Sequence, residues 1–357
     1  MMDLNHDMLS ITDLIKSRTP LIDLRSPIEF KKGAFPSSTN IPILNDMQRT
    51  TVGITYKKEG GQAAAKIGFD LVKNQKDKII HLWEEFITNN PSTHIYCMRG
   101  GKRSQIAQLW LQDKGLNIPT VNGGYKALRR ASIDILNSVS NDQKKWIILA
   151  GRTGTGKTAI LRNLASSIDL EQHASHKGSA FGGTQNQQPT PINFENTLAS
   201  KYIRHSNNIL FLEDESRKIG KLAIPNAWYM RMAESRIVII ELDIEKRIEN
   251  IAKEYVYSRL DNGMSKEDLN KLLQSSLFKI RKRLGLKNYN EISREIHSIL
   301  IDLNKASHSG WIKELLVRYY DPMYDYQLES KKDRCALKGN KSEVVNFLNK
   351  IEQNQSL

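Results

Sequence analysis

The sequence predicts an α/β protein built from two parallel-sheet domains and a helical, basic C-terminal extension. Three observations predict it. Through the first third of the chain, short apolar runs alternate with segments of helical spacing, the pattern of a doubly wound parallel sheet. At 146–167 an apolar run, a glycine-rich loop and a helical segment follow one another, and two later apolar runs, NILFLE and RIVIIELD, read as further strands of the same sheet. From Ile244 onward, apolar residues recur at helical spacing among many charges. The expected limits are a first domain at 1–135, a linker at 136–144, a second α/β domain at 145–245 and a helical, basic region at 246–357.

Composition agrees with more than one core, since 357 residues exceed what a single core organises. The chain is 39% hydrophobic, ample for packing, and its 53 Lys+Arg against 39 Asp+Glu give a formal net charge of +14. Such an excess predicts a polyanionic partner, because neutralised phosphates release counterions. The two cysteines, Cys97 and Cys335, exclude a disulfide framework and suit a reducing, cytoplasmic compartment. The N-terminal stretch carries acids and lacks a long apolar run, and no membrane span is expected anywhere.

Taken in order, PLIDLRSPIEFKKGAFPSSTNIP at 20–42 reads as a strand, a turn, a short helix and a second strand. At 93–115, THIYC is a strand, MRGGKRS a loop and SQIAQLWLQDKG a helix ended by Gly115. IPTVNGGYKALRR starts a third unit, and the polar ASIDILNSVSNDQKK marks the boundary. WIILA is then a strand, GRTGTGKT a loop and AILRNLASS a helix. The long, aperiodic GSAFGGTQNQQPTPINF reads as a loop that is either functional or disordered. IEKRIENIAKEYVYSRL and EISREIHSILIDLNKA read as helices, and WIKELLVRYYDPMYDYQLESKKDR sets tyrosines among charges.

The loop YCMRGGKRS is the first chemical candidate. A strand-to-helix turn offers aligned N–H groups and the positive end of a helix dipole, which favour a thiolate at Cys97. Arg99, Lys102 and Arg103 add positive charge, and Gly100 and Gly101 let the backbone curl into an anion nest. Cys97 is expected to be catalytic with Arg103, the other four residues binding an anionic donor. DLRSPIEF, GAFPSSTNIP, CMRGGKRS and GGYKALR together resemble the rhodanese family over roughly the first 135 residues. That resemblance implies a cysteine carrying a chalcogen as a persulfide-like adduct. The loop reads C-x5-R, longer than in many sulfur-transferring members and matching cysteine-dependent phosphatases built on the same fold. It is therefore sized for a phosphate-like donor.

GRTGTGKT at 151–158 is the second candidate and fits G-x-x-x-x-G-K-[ST] in full. Gly151, Gly154 and Gly156, with Arg152, Thr153 and Thr155 between them, let backbone N–H groups wrap a diphosphate. Lys157 adds a fixed charge, and Thr158 can reach a Mg²⁺. NILFLEDES ends a strand in acids, of which Asp214 or Glu213 is expected to face the metal and Asp214 is taken as a ligand-binding residue. The grip is on phosphates, so a nucleotide or any diphosphate ester suits it.

YCMRGGKRS, LAGRTGTGKT, PINFEN, FLEDESRKIG and YYDPMYDYQ resemble the tRNA 2-selenouridine synthase family across nearly the whole chain. The resemblance implies two steps on a wobble 2-thiouridine of tRNA. A geranyl group from geranyl diphosphate is placed on the sulfur, and selenium from selenophosphate then replaces the geranylated sulfur. The P-loop would grip the departing diphosphate without ATP hydrolysis, while the C-x5-R loop would hold selenophosphate and Cys97 would take up selenium as a covalent carrier. The basic surface would hold the tRNA backbone. Tyr319, Tyr320, Tyr324 and Tyr326 would stack on unpaired bases or else complete a core. Rival readings are a rhodanese-fold phosphatase or sulfurtransferase coupled to a nucleotide-binding P-loop, an RNA-binding adaptor with an inactive rhodanese module, and a kinase. Cys335, in KKDRCALKG, lacks such a loop and reads as structural or incidental.

Overall fold

The computed structural model describes residues 10–183, 187–301 and 308–354. Parts of three sequence readings, at 1–9, at 184–186 of the glutamine-rich loop and at 302–307 of the helical run, lie outside the described residues. The chain divides into one compact unit of Met1–Ser138 and Pro189–His205 and another of Val139–Gln188 and Ser206–Leu357. Among the described residues no helix is long and apolar enough to cross a membrane.

In the first unit, β1 (Leu21–Asp23), β2 (Ser38–Asn40) and β3 (His94–Tyr96) form a parallel sheet in the order β2-β1-β3, with Leu21 opposite both Ser38 and His94. Side chains alternate between its faces. Ile22, Ile95 and Cys97 enter a cluster with Trp83 and Leu111, while Leu21 and Tyr96 enter another with Leu14 and Leu128. Both faces are covered, so the sheet is doubly wound as the sequence predicts. DLRSP supplies a buried brace at its centre. Arg25 pairs with Asp23 at 2.6 Å and donates to the Gly33 carbonyl, Tyr96 Oη donates to the same carboxylate at 2.7 Å, and the guanidinium lies 3.6 Å from the Tyr125 ring centroid. Every charge in the brace is partnered, the condition under which burial is tolerated.

The helix Pro191–Arg204 belongs to this first unit. That corrects the expected 145–245 limits, which put PINFEN in the second domain. The causes are contacts distant in sequence. Asn193 accepts the Ala34 N–H at 2.7 Å, Asn196 donates to the Ala34 carbonyl at 2.8 Å, Arg129 pairs with Glu195, and Ile192 and Ile203 pack on the Leu14 cluster.

The second unit holds β4 (Lys145–Ala150), β5 (Ile209–Glu213), a short antiparallel hairpin of β6 (Lys218–Ile219) and β7 (Leu222–Ala223), then β8 (Arg236–Ile240) and β9 (Cys335–Gly339). Four strands form a parallel sheet in the order β5-β4-β8-β9. Its near-continuous apolar strands, such as WIILA, suit a sheet buried on both faces. The fourth strand comes from the tail, so the sheet does not close at 245 as expected. CALKG pairs with β8, placing Cys335 opposite Ile237, and Lys341–Asn354 then covers the sheet through Val344, Leu348 and Ile351.

The helix expected over AILRNLASS ends at Leu161. There Ser167 Oγ donates to the Leu161 and Leu164 carbonyls at 2.7 and 2.9 Å, and Ser167 itself bridges to Phe211 at the sheet edge. Apart from β9, the helical reading beyond Ile244 is borne out: Lys266–Leu284, Leu286–Ile301 and Ser309–Leu315 pack Leu273, Leu277 and Ile280 with Ile292, Ile296 and Trp311.

Candidate functional sites

β3 delivers Cys97 to the start of its loop, and the helix Lys102–Gln112 begins at the loop's end. The backbone is fixed from behind by the GGYK turn: Tyr125 N–H donates to the Cys97 carbonyl at 2.9 Å and Lys126 N–H to Met98 at 3.1 Å. This close approach requires glycine at 124, where φ is +59° and a Cβ would stand 2.3 Å from the Cys97 carbonyl oxygen. Gly100 sits at φ +67° against Val121 and Gly123, whereas Gly101 needs no such freedom.

Cys97 is 4% exposed, with its sulfur 3.9 Å from the Gly101 carbonyl. Burial pushes the thiol up. The hydroxyl and N–H of Ser104, the N–H of Arg99 and the charge of Arg103 outweigh it, leaving the thiol below its ordinary value. Of the expected cations, Arg99 and Lys102 hold their side chains in solvent, so Arg99 serves the sulfur through its backbone. Arg103 is fastened by Glu29 at 2.7 Å, and Arg49 approaches the same carboxylate at 3.6 Å. Burial raises the Glu29 carboxyl, but Arg103, the Ser26 N–H and Arg49 hold it below the usual range. Glu29 is the third helical residue of the capping box opened by Ser26, a local signal that sequence reading could have used.

Because its folded-state pKa is depressed, Cys97 contributes stability that is full above the ordinary thiol range and lost as pH falls through the lowered value. Ser104→Ala moves that value back up, measured as the 240 nm thiolate titration after subtracting a Cys97→Ser blank; a titration curve that stays put removes Ser104 from the site.

The second loop opens after β4. Gly151, Gly154 and Gly156 all take positive φ. Thr153, Gly154, Gly156, Lys157 and Thr158 line a cavity of about 850 Å³. Gly151, Arg152 and Thr155 do not line it and instead shape the loop. Lys157 Nζ donates to the Gly151 carbonyl at 2.9 Å, Thr155 Oγ1 donates to the Arg152 carbonyl, and the Arg152 guanidinium pairs with Asp325 at 2.6 Å. Arg247, 1% exposed, donates to the Thr153 carbonyl at 2.8 Å and binds Asp321 through both terminal nitrogens. The YYDPMYDYQ segment therefore supplies the acids that hold the P-loop from outside.

The acids at the end of β5 divide differently from the expectation. Asp214 lines the cavity, but Lys331 Nζ holds both its oxygens at 2.6 Å. Glu213, 1% exposed, turns toward Thr158 and Lys157 with Oε1 unpartnered. Glu171 and Glu215 join it, so that one oxygen from each lies within 4.8 Å of the others, and Thr158 Oγ1 stands 3.4 Å from Glu171. Burial and mutual repulsion push all three carboxyls up to about 8, with Lys157 as the opposing charge. An all-oxygen set around an orphaned buried carboxylate fits a hard divalent cation. Glu171 and Lys331 escaped sequence reading because nothing local ties them to the loop, while Glu215 stood in the quoted acidic stretch without being singled out.

The expected tyrosines part ways. Tyr320 is buried and Tyr319 and Tyr324 partly buried, all three lining the cavity, with Lys157 Nζ 5.8 Å from the Tyr324 ring centroid, and Tyr326 is 81% exposed outside it.

Residues 144–355 match the model of the tRNA 2-selenouridine synthase AAA domain. A tRNA 2-selenouridine synthase of Shewanella denitrificans is 43% identical over 349 residues, covering 94% of this chain and 95% of that protein. The chain belongs to the tRNA 2-selenouridine synthase family. Two further proteins bearing the same name, from Shewanella pealeana and Marinobacter nauticus, are each 40% identical over 92% of this chain and 94% and 93% of their own. Residues 8–131 match the rhodanese-like domain model. Both chemical loops of this tRNA 2-selenouridine synthase family member fall inside the matched spans.

Proposed function

We propose that this protein converts wobble 2-thiouridine in tRNA to 2-selenouridine in two steps. At the P-loop, the sulfur of the base displaces diphosphate from geranyl diphosphate; a C–S bond forms as the C–O bond to the leaving group breaks. At the Cys97 loop, the Cys97 thiolate attacks the phosphorus of selenophosphate, an S–P bond forming as the P–Se bond breaks; the selenide released adds at C2 of the base and expels the geranylated sulfur as a thiol, and water then frees phosphate from Cys97. The observation that carries this reading is the presence in one chain of a thiol held toward its thiolate and a P-loop opening on a cavity of about 850 Å³. That volume falls within the ~300–1,000 Å³ of small-molecule sites and exceeds what a diphosphate alone needs.

Glu171, Glu213, Glu215 and Thr158 would hold a Mg²⁺, whose charge would stabilise the departing diphosphate. Lys157 acts on the same charge directly, and Gly154 and Gly156 bring backbone N–H groups near it. A phosphatase needs a general acid, and the carboxyl that meets the Cys97 loop, Glu29, is kept ionised by two arginines. That favours transfer over hydrolysis.

The test is incubation with 2-thiouridine tRNA, geranyl diphosphate and selenophosphate, followed by mass spectrometry of the nucleosides. Geranylated and selenated uridine should both form. The reading fails if neither appears with Mg²⁺ and both donors in excess.

A further inference from the structure

The cavity at the P-loop has a charged rim that the two chemical loops do not explain. From Lys279 to Asn290 the chain carries Lys279, Arg281, Lys282, Arg283 and Lys287 and no acid. These residues span the end of the helix Lys266–Leu284, the Gly285 turn and the start of Leu286–Ile301. Lys279, Lys282, Arg283 and Lys287 are exposed, and none reaches a carboxylate among the described residues. Earlier in the same helix the surface is ordinary: Lys271 faces Asp268 at 3.7 Å. Favourable interaction with the helix dipole accounts for cations in the last turn only, whereas Lys279 precedes it and Lys287 follows it.

The run borders the cavity. Arg283 lines it, and Lys279, four residues earlier on the same helix face, acts on the wall residue His176, whose imidazole burial and then Lys279 hold below its usual value. Aromatic and apolar groups are interleaved with the charge. Phe278 is 49% exposed, with the Arg281 guanidinium 3.5 Å from its ring centroid and Tyr289 edge-on at 6.4 Å, while Leu286 beyond it is 70% exposed. An acidic peptide would engage the cations, and an anionic membrane the cations with Phe278 and Leu286, but neither calls for a guanidinium held flat over an accessible ring. Cations beside an accessible ring and a guanidinium plane are the combination that binds single-stranded nucleic acid, the first holding phosphates and the second stacking an unpaired base.

We propose that residues 278–289 are the RNA-binding lip of the P-loop cavity, where Lys279, Arg283 and Lys287 hold the backbone of a single-stranded RNA loop and Phe278 with Arg281 stacks one of its bases. This assignment rests on the reading of tRNA as substrate.

The test uses the full chain and a fluorescent RNA hairpin with a single-stranded loop, its binding followed across a KCl series. In the Lys279→Gln, Arg283→Gln, Lys287→Gln variant the slope of log affinity against log salt should shrink by about 2, three contacts at ~0.7 each. Phe278→Ala should weaken binding roughly 5- to 100-fold at unchanged slope, with Phe278→Trp restoring it. Phe278 is a surface residue, so its variants decide the matter if the triple variant fails to fold. Wild-type slope and affinity in folded variants overturn the assignment. So does a loss seen with polyglutamate or phosphatidylserine vesicles while hairpin binding stands. A wild-type chain that binds no hairpin removes the proposed function as well, which separates the two failures.

Discussion

Cys97→Ala should leave geranylated tRNA as the end product and lower selenium incorporation by at least roughly a thousandfold, the scale of losing a nucleophile. The sulfur is the group in that loop held toward its nucleophilic form, since Ser104, the Arg99 N–H and Arg103 all favour its thiolate. On the proposed reading geranyl transfer takes place at the P-loop and should continue. The readout is the ratio of geranylated to selenated uridine in digested tRNA, and selenated uridine forming at the wild-type rate would exclude Cys97. In the unsubstituted enzyme, single-turnover selenation should rise with pH through a midpoint below the ordinary thiol range and level off above it, since the depressed pKa makes thiolate available early. A midpoint above that range would mean that burial prevails in the working state.

Lys157→Ala should cut kcat/KM for geranyl transfer by about 10²–10³, the cost of removing one preorganised electrostatic partner of a developing anion. The expected loss has a second part. Lys157 is the positive charge that opposes the raised pKa values of Glu171, Glu213 and Glu215; without it the carboxyls hold their protons more firmly and compete worse for a cation. The variant should therefore need more Mg²⁺ for half-maximal activity, and Lys157→Arg should recover part of the rate. Turnover within twofold of wild type across a Mg²⁺ titration would remove the P-loop from the reaction.

What could be read in the sequence was what folds locally. WIILA-GRTGTGKT and THIYC-MRGGKRS each put strand, loop and helix within about twenty residues, so periodicity and glycine placement suffice. The partners of those loops were hidden because they arrive from far along the chain. Nothing near Glu171 marks it as a neighbour of Thr158, and nothing near Lys331 shows that it takes Asp214 away from the cavity. PINFEN joins the rhodanese-like unit through side-chain amides on Ala34, contacts without sequence periodicity. CALKG carries no β-branched or aromatic residue to announce a strand, yet the edge of β8 recruits it.

The grip of the tail on the P-loop also bears on how the protein is made. Arg152 waits for Asp325, Arg247 for Asp321, and the sheet for Cys335–Gly339. These closures span a large part of the second unit, and contacts so distant in sequence are slow to form. The loop emerges from the ribosome well before the acids that hold it. The contacts that set the shape of the P-loop are thus complete only when the last strand is in hand, so a chain stopped before Asp321 carries the whole GRTGTGKT signature and lacks the acids that hold it.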